Sequence, residues 1–267
     1  CVYCDLWKNA LDTTVPIGAI PAQIDFALDE LRRGNTRAAS LKQLKLYNAG
    51  SFFDRAAIPP QDFPAVAERG RGFERVIVEC HPALVGDSAV RFRDLLQAAE
   101  GGSTLEVAMG LEIADDEILS RMNKRMTLAM FARSARFLQT HDIAVRAFVM
   151  IKPPFVRDED EAIEFATRSA RFAFDCGATA VSLIPARFGT EELSALAARG
   201  EFSPPTLATI EAALAASMSL KEGRVFVDLW NLELFSTCNC CFEARRERLI
   251  AINQGQALVP PVHCHCG

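Results

Sequence analysis

The chain has 267 residues, of which 50% are hydrophobic and 24% charged, and its formal net charge is −5. This length can bury the core of one large α/β domain with a small appendage. The acidic balance argues against a general polyanion binder, because non-specific affinity for nucleic acids comes mainly from basic groups that neutralise phosphates. No apolar run approaches about 18 residues, so the sequence predicts no membrane span.

Six apolar runs predict the parallel strands of one sheet. They are rich in Val, Ile, Leu and Phe without strict polar alternation, as expected for strands covered on both faces. The predicted strands are residues 43–48, 75–79, 105–109, 145–151, 178–184 and 224–227. Six are too few for a closed barrel of about eight strands. The pattern therefore indicates an α/β fold, either a partial (β/α)6-type TIM-like barrel or a doubly wound sheet.

Amphipathic stretches between these runs predict helices that cross over from one strand to the next. Helical spacing puts apolar side chains on one face in two of them, which are Ile24, Leu28 and Leu31 in the first and Leu128, Phe131, Ala135 and Leu138 in the second. Thr127 and Asp158 are typical helix-start residues.

Polar side chains follow several of the predicted strands. In parallel α/β folds, the loops that leave the carboxyl ends of the strands carry the functional groups. We therefore expect a pocket at this edge. Its candidate substrate-side residues, without individual chemical roles, are Glu79, His81, Lys152, Arg187 and Asp228. No catalytic residue can be assigned from the sequence.

Nine cysteines are distributed mainly in two clusters, one at each end of the chain. Cys1 and Cys4 form a CxxC pair, which alone fits half a zinc site, a redox pair or chance. Clustered thiols in a chain of this length favour metal binding in a reducing compartment, so we expect a cytoplasmic protein. Cys80 and Cys176 lie apart from both clusters, as small buried hydrophobes often do.

The C-terminal cluster predicts a separate metal site. Cys238, Cys241, Cys264 and Cys266 offer four soft ligands for a structural Zn²⁺, and an auxiliary iron–sulfur cluster is the main alternative. Cys240, His263 and His265 are spare donors. We accordingly divide the chain into a partial barrel (residues 1–232), lacking its first strand, and a Cys-rich extension (residues 233–267).

Three features occur together along the chain: Cys-x-aromatic-Cys at the start, alternating β/α units, and Gly110-Leu111-Glu112 followed by Asp115-Asp116-Glu117-Ile118-Leu119 and Asn123-Lys124-Arg125. In these the chain resembles the radical S-adenosylmethionine (SAM) superfamily. It is most similar to the branch with the Elongator catalytic subunit, the tRNA methylthiotransferases and the radical subunit of archaeosine synthase. Segments 1–9, 47–53 and 107–125 and the last cysteines look most like the archaeosine synthase relatives.

This resemblance implies the cofactors. Members carry CxxxCxxC, whose three cysteines hold a [4Fe–4S] cluster, and Cys1 and Cys4 match the second and third. The first would lie four residues before Cys1, so we expect the chain to be truncated and inactive as it stands. The open iron would bind SAM, and reductive cleavage of SAM would give a 5′-deoxyadenosyl radical that abstracts hydrogen from a substrate. An electron donor similar to flavodoxin or ferredoxin is implied.

The resemblance also assigns residues to SAM. Tyr3 matches the aromatic residue near adenine. Ala49, Gly50 and Ser51 match a segment that meets the amino group, although the family's acidic residue is absent. Glu112 is a candidate for the ribose hydroxyls or the methionine end, or else a helix cap. Arg146 would bind the SAM carboxylate or project outward from its strand.

The implied substrate is a lysine-modified deazaguanine base in tRNA, with tRNA or a tRNA-modifying subunit as partner. Phosphates would then contact two basic neighbourhoods, unless these are solvated helix faces. They are Arg121, Lys124, Arg125, Arg133 and Arg136 in the first, and Arg245, Arg246 and Arg248 in the second. The main alternative is a zinc-stabilised α/β binding protein without radical chemistry, and a barrel that has lost its activity is another.

Overall fold

The computed structural model describes residues 1–34, 41–98 and 101–264. Within them the chain forms six strands: β1 (Gln43–Leu46), β2 (Arg75–Glu79), β3 (Thr104–Glu112), β4 (Ala144–Ile151), β5 (Ala180–Pro185) and β6 (Arg224–Val227). The strands are hydrogen-bonded in sequence order. β1 pairs with β2, β2 with β3, β4 with β5 and β5 with β6, each in parallel. Every predicted strand is thus present.

Helices alternate with the strands, as the amphipathic stretches predict. They are α1 (Ala19–Gly34), α2 (Phe63–Arg69), α3 (Asp87–Ala98), α4 (Asp116–Arg121), α5 (Leu128–Thr140), α6 (Glu159–Asp175), α7 (Glu191–Ala198), α8 (Leu207–Met218) and α9 (Asn239–Gly255). The predicted helix starts are confirmed, because Asp158 accepts a hydrogen bond from the Glu161 amide and Thr127 accepts one from the Met130 amide. The apolar face of α5 is buried at Phe131, Ala135 and Leu138.

The strand boundaries differ from the predicted ones by two or more residues at three places. β1 ends two residues early, at Leu46, and β5 begins at Ala180. β3 continues three residues further, to Glu112, and this extension lies within the fold, since Leu111 is fully buried and Glu112 is only 7% exposed. Gly110 and Glu112, which the sequence suggested to be loop residues, therefore belong to the strand end.

The chain divides into two compact units. The first contains Cys1–Cys4, Gly110–Ala132 and the chain from Arg146 onwards, and the second contains Asp5–Met109 and Arg133–Val145. The core of the second unit includes four packed rings, with centroids 4.8 to 6.4 Å apart, from Phe52, Phe53, Phe63 and Phe92. This division does not test the predicted boundary between residues 232 and 233. No helix in the described ranges is long and apolar enough to cross a membrane.

A buried ion pair joins three elements of the first unit. Lys152, which follows β4 directly and is only 4% exposed, pairs with Glu159 of α6, and Thr209 of α8 donates a hydrogen bond to the same carboxylate. Burial alone would raise the pKa of Glu159, but the hydrogen bonds from Lys152 and Thr209 outweigh it and lower this pKa. Lys152 therefore has a structural partner.

This lowered pKa predicts acid-sensitive stability. The stabilisation from ionised Glu159 should be complete above the ordinary glutamate value of 4.5 and decline as the pH falls through the lower folded value. Urea unfolding from pH 7 to pH 3 measures the free energy of unfolding of wild type and of Glu159→Gln. The difference between the two, the stability gap, should narrow as the pH falls below the folded pKa of Glu159. Glu243→Gln, on an exposed pair of α9, is the control and should show almost no gap. A gap for Glu159→Gln that is constant with pH would contradict the prediction.

Candidate functional site

Hydrogen bonds fix the Cys1–Cys4 segment at two points of the first unit. The Val2 amide donates to the carbonyl of Met122, 3.0 Å away, and the Thr190 hydroxyl donates to the carbonyl of Val2 at 2.6 Å. Val2 and Tyr3 also pack against a buried cluster, which consists of Met150, Ala186, Leu193, Leu196 and Phe202. Cys1 is exposed and Cys4 half-buried, and neither forms a disulfide. Both thiols are therefore available as ligands on an anchored segment.

Tyr3 and Glu112 are brought together through Lys124. The Lys124 ammonium lies 2.6 Å from Oε1 of Glu112 and 5.9 Å from the centre of the Tyr3 ring. The side chains of this ion pair are only 11% and 9% exposed. Among the described residues, Oε2 of Glu112 has no hydrogen-bond partner. The site thus presents a carboxylate oxygen, held by a buried cation, close to the aromatic residue between the two cysteines.

The backbone at Glu112 is strained. Its φ is +65°, in the left-handed region that glycine favours, and such a residue costs of order 1–3 kcal/mol. The alternative role of Glu112 as a helix cap is wrong, because Asp115 caps α4 by accepting a hydrogen bond from the Ile118 amide at 3.0 Å. Strain at a buried carboxylate favours a functional reason for the conformation.

Gly110 makes room for the Glu112–Lys124 pair. A Cβ at position 110 would lie 2.6 Å from the Lys124 ammonium and even closer to the Glu112 carboxylate. Since both are ends of flexible side chains, Gly110→Ala should fold but displace the pair, and we expect SAM affinity to fall about tenfold. Equilibrium dialysis with labelled SAM measures this. Gly86→Ala, where a Cβ meets nothing within 4 Å, is the control, and equal affinities would contradict the prediction.

The 49–51 segment lies in the second unit, where its neighbours hold it. Ser51 Oγ accepts a hydrogen bond from the His81 amide at 3.0 Å, and the Phe52 amide donates to the carbonyl of Glu79 at 2.8 Å. A Cβ at Gly50 would lie 3.5 Å from Nδ2 of Asn48, and the buried Oδ1 of Asn48 has no hydrogen-bond partner among the described residues. Asn48 therefore offers an unused acceptor next to this segment.

Arg146 is buried in the sheet. It is 3% exposed, so the alternative of an outward projection is wrong. Its Nη1 donates to the Ser182 hydroxyl at 3.0 Å, and its guanidinium lies 4.8 Å from the Phe226 ring centre. It also lies five residues before the last residue of β4, Ile151. Its predicted role in binding the SAM carboxylate stays a prediction.

Arg187 and Asp228, both predicted as substrate-side residues, form an ion pair. Nη2 of Arg187 lies 2.7 Å from Oδ2 of Asp228. His81 has a local role in the second unit, where its ring nitrogen accepts a hydrogen bond from the Ala83 amide at 3.2 Å. Burial raises the pKa of the neighbouring Cys80 thiol to about 12, so this cysteine is an inert hydrophobe and not a ligand.

Three of the four predicted C-terminal ligands lie together. The ligand atoms of Cys238, Cys241 and Cys264 are all within 4.8 Å of one another, and the sulfurs of Cys238 and Cys264 are 3.9 Å apart. Zn–S bonds of about 2.3 Å at tetrahedral angles put two sulfurs about 3.8 Å apart. The fourth predicted ligand, Cys266, lies outside the described residues. Cys240 and His263 are exposed and do not belong to this group.

Two arginines of α9 support the cysteine group. Arg245 and Arg248 both pair with Glu211 of α8, at 2.5 and 3.1 Å, and are only 12% and 10% exposed. Nε of Arg248 donates to the carbonyls of Val259 and Pro260, in the stretch that leads to Cys264. Burial tends to lower the pKa of Arg245, but its hydrogen bonds to Glu211 and Cys241 raise it.

The two basic neighbourhoods consist mainly of paired side chains. Lys124, Arg245 and Arg248 are in buried ion pairs, so they are not solvated helix faces. Arg121 pairs with Glu201 at 3.5 Å and lies over the Phe155 ring. Arg246 is half-buried and pairs with Glu243, while Arg125, Arg133 and Arg136 are exposed. Their contact with phosphates stays a prediction.

No protein-family model matches the chain. A relative in Methanosarcina acetivorans, archaeosine synthase subunit beta, is 25% identical over 197 residues, which cover 71% of this chain and 56% of that protein. The chain therefore spans about half the length of this curated relative.

Two solved structures show the fold. Elp3 from the archaeon Methanocaldococcus infernus, with an N-terminal deletion, matches with a TM-score of 0.57 and 16% identity over 77% of this chain and 51% of that one. SuiB from Streptococcus suis, bound to the precursor peptide SuiA, matches with a TM-score of 0.53 and 11% identity over 85% of this chain and 45% of that one. The predicted α/β partial-barrel class and the resemblance to the radical SAM superfamily are confirmed.

Proposed function

We propose that the chain is the core of a radical SAM enzyme, in which SAM binds beside a [4Fe–4S] cluster at the Cys1–Cys4 segment. The observation that carries this proposal is the assembly of two unpaired thiols, Tyr3 and the Glu112–Lys124 pair in one unit. It combines soft metal ligands with an aromatic ring and a carboxylate, the groups that a nucleoside sulfonium ligand requires. The similarity to archaeosine synthase subunit beta and Elp3 supports the same interpretation.

Cys1 and Cys4 fit the role of cluster ligands. Both are accessible and reduced, and their segment is anchored by backbone hydrogen bonds. A [4Fe–4S] cluster held by three cysteines, two of them Cys1 and Cys4, has one open iron. When bound, this group supplies the electron for the reductive cleavage of SAM.

The side chains of this chain would bind and orient SAM. Tyr3 would pack near the adenine ring, and Glu112 would accept hydrogen bonds from the ribose hydroxyls or the methionine ammonium through Oε2. The role of Ala49, Gly50 and Ser51, which lie in the second unit, stays a prediction. Arg146 would bind the carboxylate of SAM. The buried Lys124 holds the Glu112 carboxylate in place, whether Oε2 accepts from the ribose hydroxyls or from the methionine ammonium.

Anaerobic purification of the protein tests this function. Reconstitution with iron and sulfide should give a brown protein that produces 5′-deoxyadenosine from SAM when a reductant is added. A flavodoxin- or ferredoxin-like donor should replace the chemical reductant. A colourless protein that contains zinc alone and does not cleave SAM would instead support a zinc-stabilised α/β binding protein.

We propose Zn²⁺ for the Cys238, Cys241 and Cys264 group. The separations of the ligand atoms fit one tetrahedral ion, whereas each thiolate of a [4Fe–4S] cluster binds a different iron and the sulfurs spread more widely. The Arg245 guanidinium beside Cys241 would offset part of the negative charge of the thiolates. Cys266 is proposed as the fourth ligand, which would place the site across the start of α9 and the end of the chain.

Loss of one of these thiols should remove the zinc. We expect Cys238→Ser to lower the zinc content from about one equivalent to below about 0.2, because a direct ligand matters more than outer groups whose loss costs about 10–100-fold in affinity. Elemental analysis after dialysis measures this content. Cys240→Ser, which changes an exposed cysteine outside the group, should retain zinc. Equal zinc in the two variants, or iron in place of zinc, would overturn the assignment.

For the substrate we propose a modified base in tRNA, presented with the help of a partner subunit in the cytoplasm. Support comes from the archaeosine synthase relative, whose name identifies it as a subunit. A gel shift with tRNA carrying the lysine-modified base, with and without candidate partners, tests this. If neither the protein nor its complexes shift the tRNA, this substrate class is rejected, while SAM cleavage still decides the enzyme class.

A further inference from the structure

An exposed indole is held rigidly where the chain leaves β6. Trp230 is 68% exposed, yet both of its backbone polar groups are bound. Its amide donates to Oδ1 of Asp228 at 3.3 Å, and its carbonyl accepts from Nη2 of Arg187 at 2.6 Å. The Arg187–Asp228 ion pair, with side chains 14% and 35% exposed, therefore fixes the position of a large apolar ring in solvent.

Arg187 also has unused hydrogen-bonding capacity at this place. Its hydrogen bonds run through Nη2, to Asp228 and Trp230, and among the described residues Nη1 has no partner. Its Nε is buried without a partner as well, which is unfavourable for a charged donor. The guanidinium carbon lies 5.5 Å from the ring centre of Trp230 and 5.3 Å from that of Phe235. An ion pair with a purely structural role would not need a guanidinium with unused N–H donors beside an exposed ring.

The position of this group points to a ligand rather than to the core. Arg187 lies two residues after β5, and Asp228 lies directly after β6. Both are therefore at the carboxyl ends of parallel strands, where functional groups of α/β folds gather. A rigid aromatic face next to unused N–H donors matches a planar ring with acceptor atoms on its edge, which is the chemistry of a nucleobase.

We propose that Trp230 is a stacking platform for a nucleobase of the RNA substrate and that Nη1 of Arg187 donates to an acceptor of the same nucleotide. This inference rests on the proposed function, since it assigns the tRNA contact to a part of the chain. It accounts for three observations at once: the exposure of the indole, the fixation of its backbone and the unused donors of Arg187.

Tryptophan fluorescence tests this directly, because the chain has only two tryptophans, Trp7 and Trp230. Trp7→Phe leaves Trp230 as the only tryptophan of the chain, and titration with tRNA should quench its emission. Trp230→Phe keeps Trp7 and should show little quenching. Trp230→Ala should weaken tRNA binding by about 5- to 150-fold, the range for one stacked base. Phe26→Ala removes an equally exposed aromatic ring, 69%, from α1 and should leave the affinity unchanged.

The results of these experiments distinguish the stacking role of Trp230 from the proposed enzyme class. SAM cleavage without RNA should be the same in Trp230→Ala and wild type, because Trp230 acts on the RNA alone. Equal tRNA affinities in these two proteins, or no quenching in Trp7→Phe, would overturn the platform and leave the enzyme class standing. A wild-type protein that binds no tRNA would also overturn the platform. Failure of the wild type to cleave SAM would overturn the proposed enzyme class, while quenching would still support stacking at Trp230.

Discussion

Lys124→Met is expected to lower the free energy of unfolding by about 3–5 kcal/mol and to weaken SAM binding. Removing one partner of a buried ion pair leaves the other charge without compensation, which costs this much. Here it would leave the Glu112 carboxylate, 9% exposed, at a strained strand end. Urea unfolding gives the stability, and equilibrium dialysis gives the affinity for SAM. We expect the affinity to fall about tenfold or more, since Glu112 loses its fixed position.

Two further variants distinguish charge from packing. The double variant Lys124→Met with Glu112→Gln removes both charges and should recover most of the stability, because replacing a whole buried pair is often nearly neutral. It should not recover the SAM affinity. Arg171→Met breaks an exposed pair with Glu222, 3.7 Å away, and should cost less than about 1 kcal/mol. A Lys124→Met variant as stable as Arg171→Met would show that the pair contributes little, and unchanged SAM affinity would remove Glu112 from the site.

Cys4→Ser should abolish the proposed radical chemistry. Changes in the groups around metal ligands already cost about 10–100-fold, so loss of a direct ligand should lower the yield of 5′-deoxyadenosine more than about 100-fold. The iron content after anaerobic reconstitution should fall in parallel. The fold should persist, because the segment is held through backbone atoms at Val2, which the substitution does not touch.

Cys240→Ser is again the matched control for this variant. Cys240 is an exposed cysteine that belongs to neither proposed ligand set, and its substitution should leave both iron and activity near wild type. If Cys4→Ser retained iron and turnover at the level of Cys240→Ser, the cluster would have to lie elsewhere in the chain.

The strands could be predicted from the sequence because their apolar runs are local. β2 and β6 have the predicted limits, and the other strands shift by only one to three residues at an end. The extension of β3 could not be predicted, since a glycine and a glutamate at a strand end are typical of a loop. Only burial of the intervening Leu111 against the fold shows that the strand continues.

The ion-pair partners of the charged side chains could not be predicted from the sequence. Lys124 pairs with a residue twelve positions earlier, and Arg248 with one thirty-seven positions earlier. No periodicity relates such positions, so a local analysis counts the cations as surface charge. Trp230 lies in a strand-end loop that the sequence places at the expected pocket, but its link to Arg187 could not be predicted for the same reason. Its signal is an aspartate after a strand with a tryptophan two residues later, and this acquires meaning only when Arg187 is seen to bind both.

The anchoring of Val2 has a consequence for cofactor assembly. Because the peptide between the two thiols is already tied to Met122 and Thr190 through main-chain atoms, its conformational entropy is lost during folding. Iron and sulfide then bind to a segment whose conformation is already fixed, so cluster binding does not have to drive a folding step. The apoprotein should therefore be folded before loading, with the same far-ultraviolet circular dichroism as the loaded protein, and bound iron and sulfide should only add to its stability.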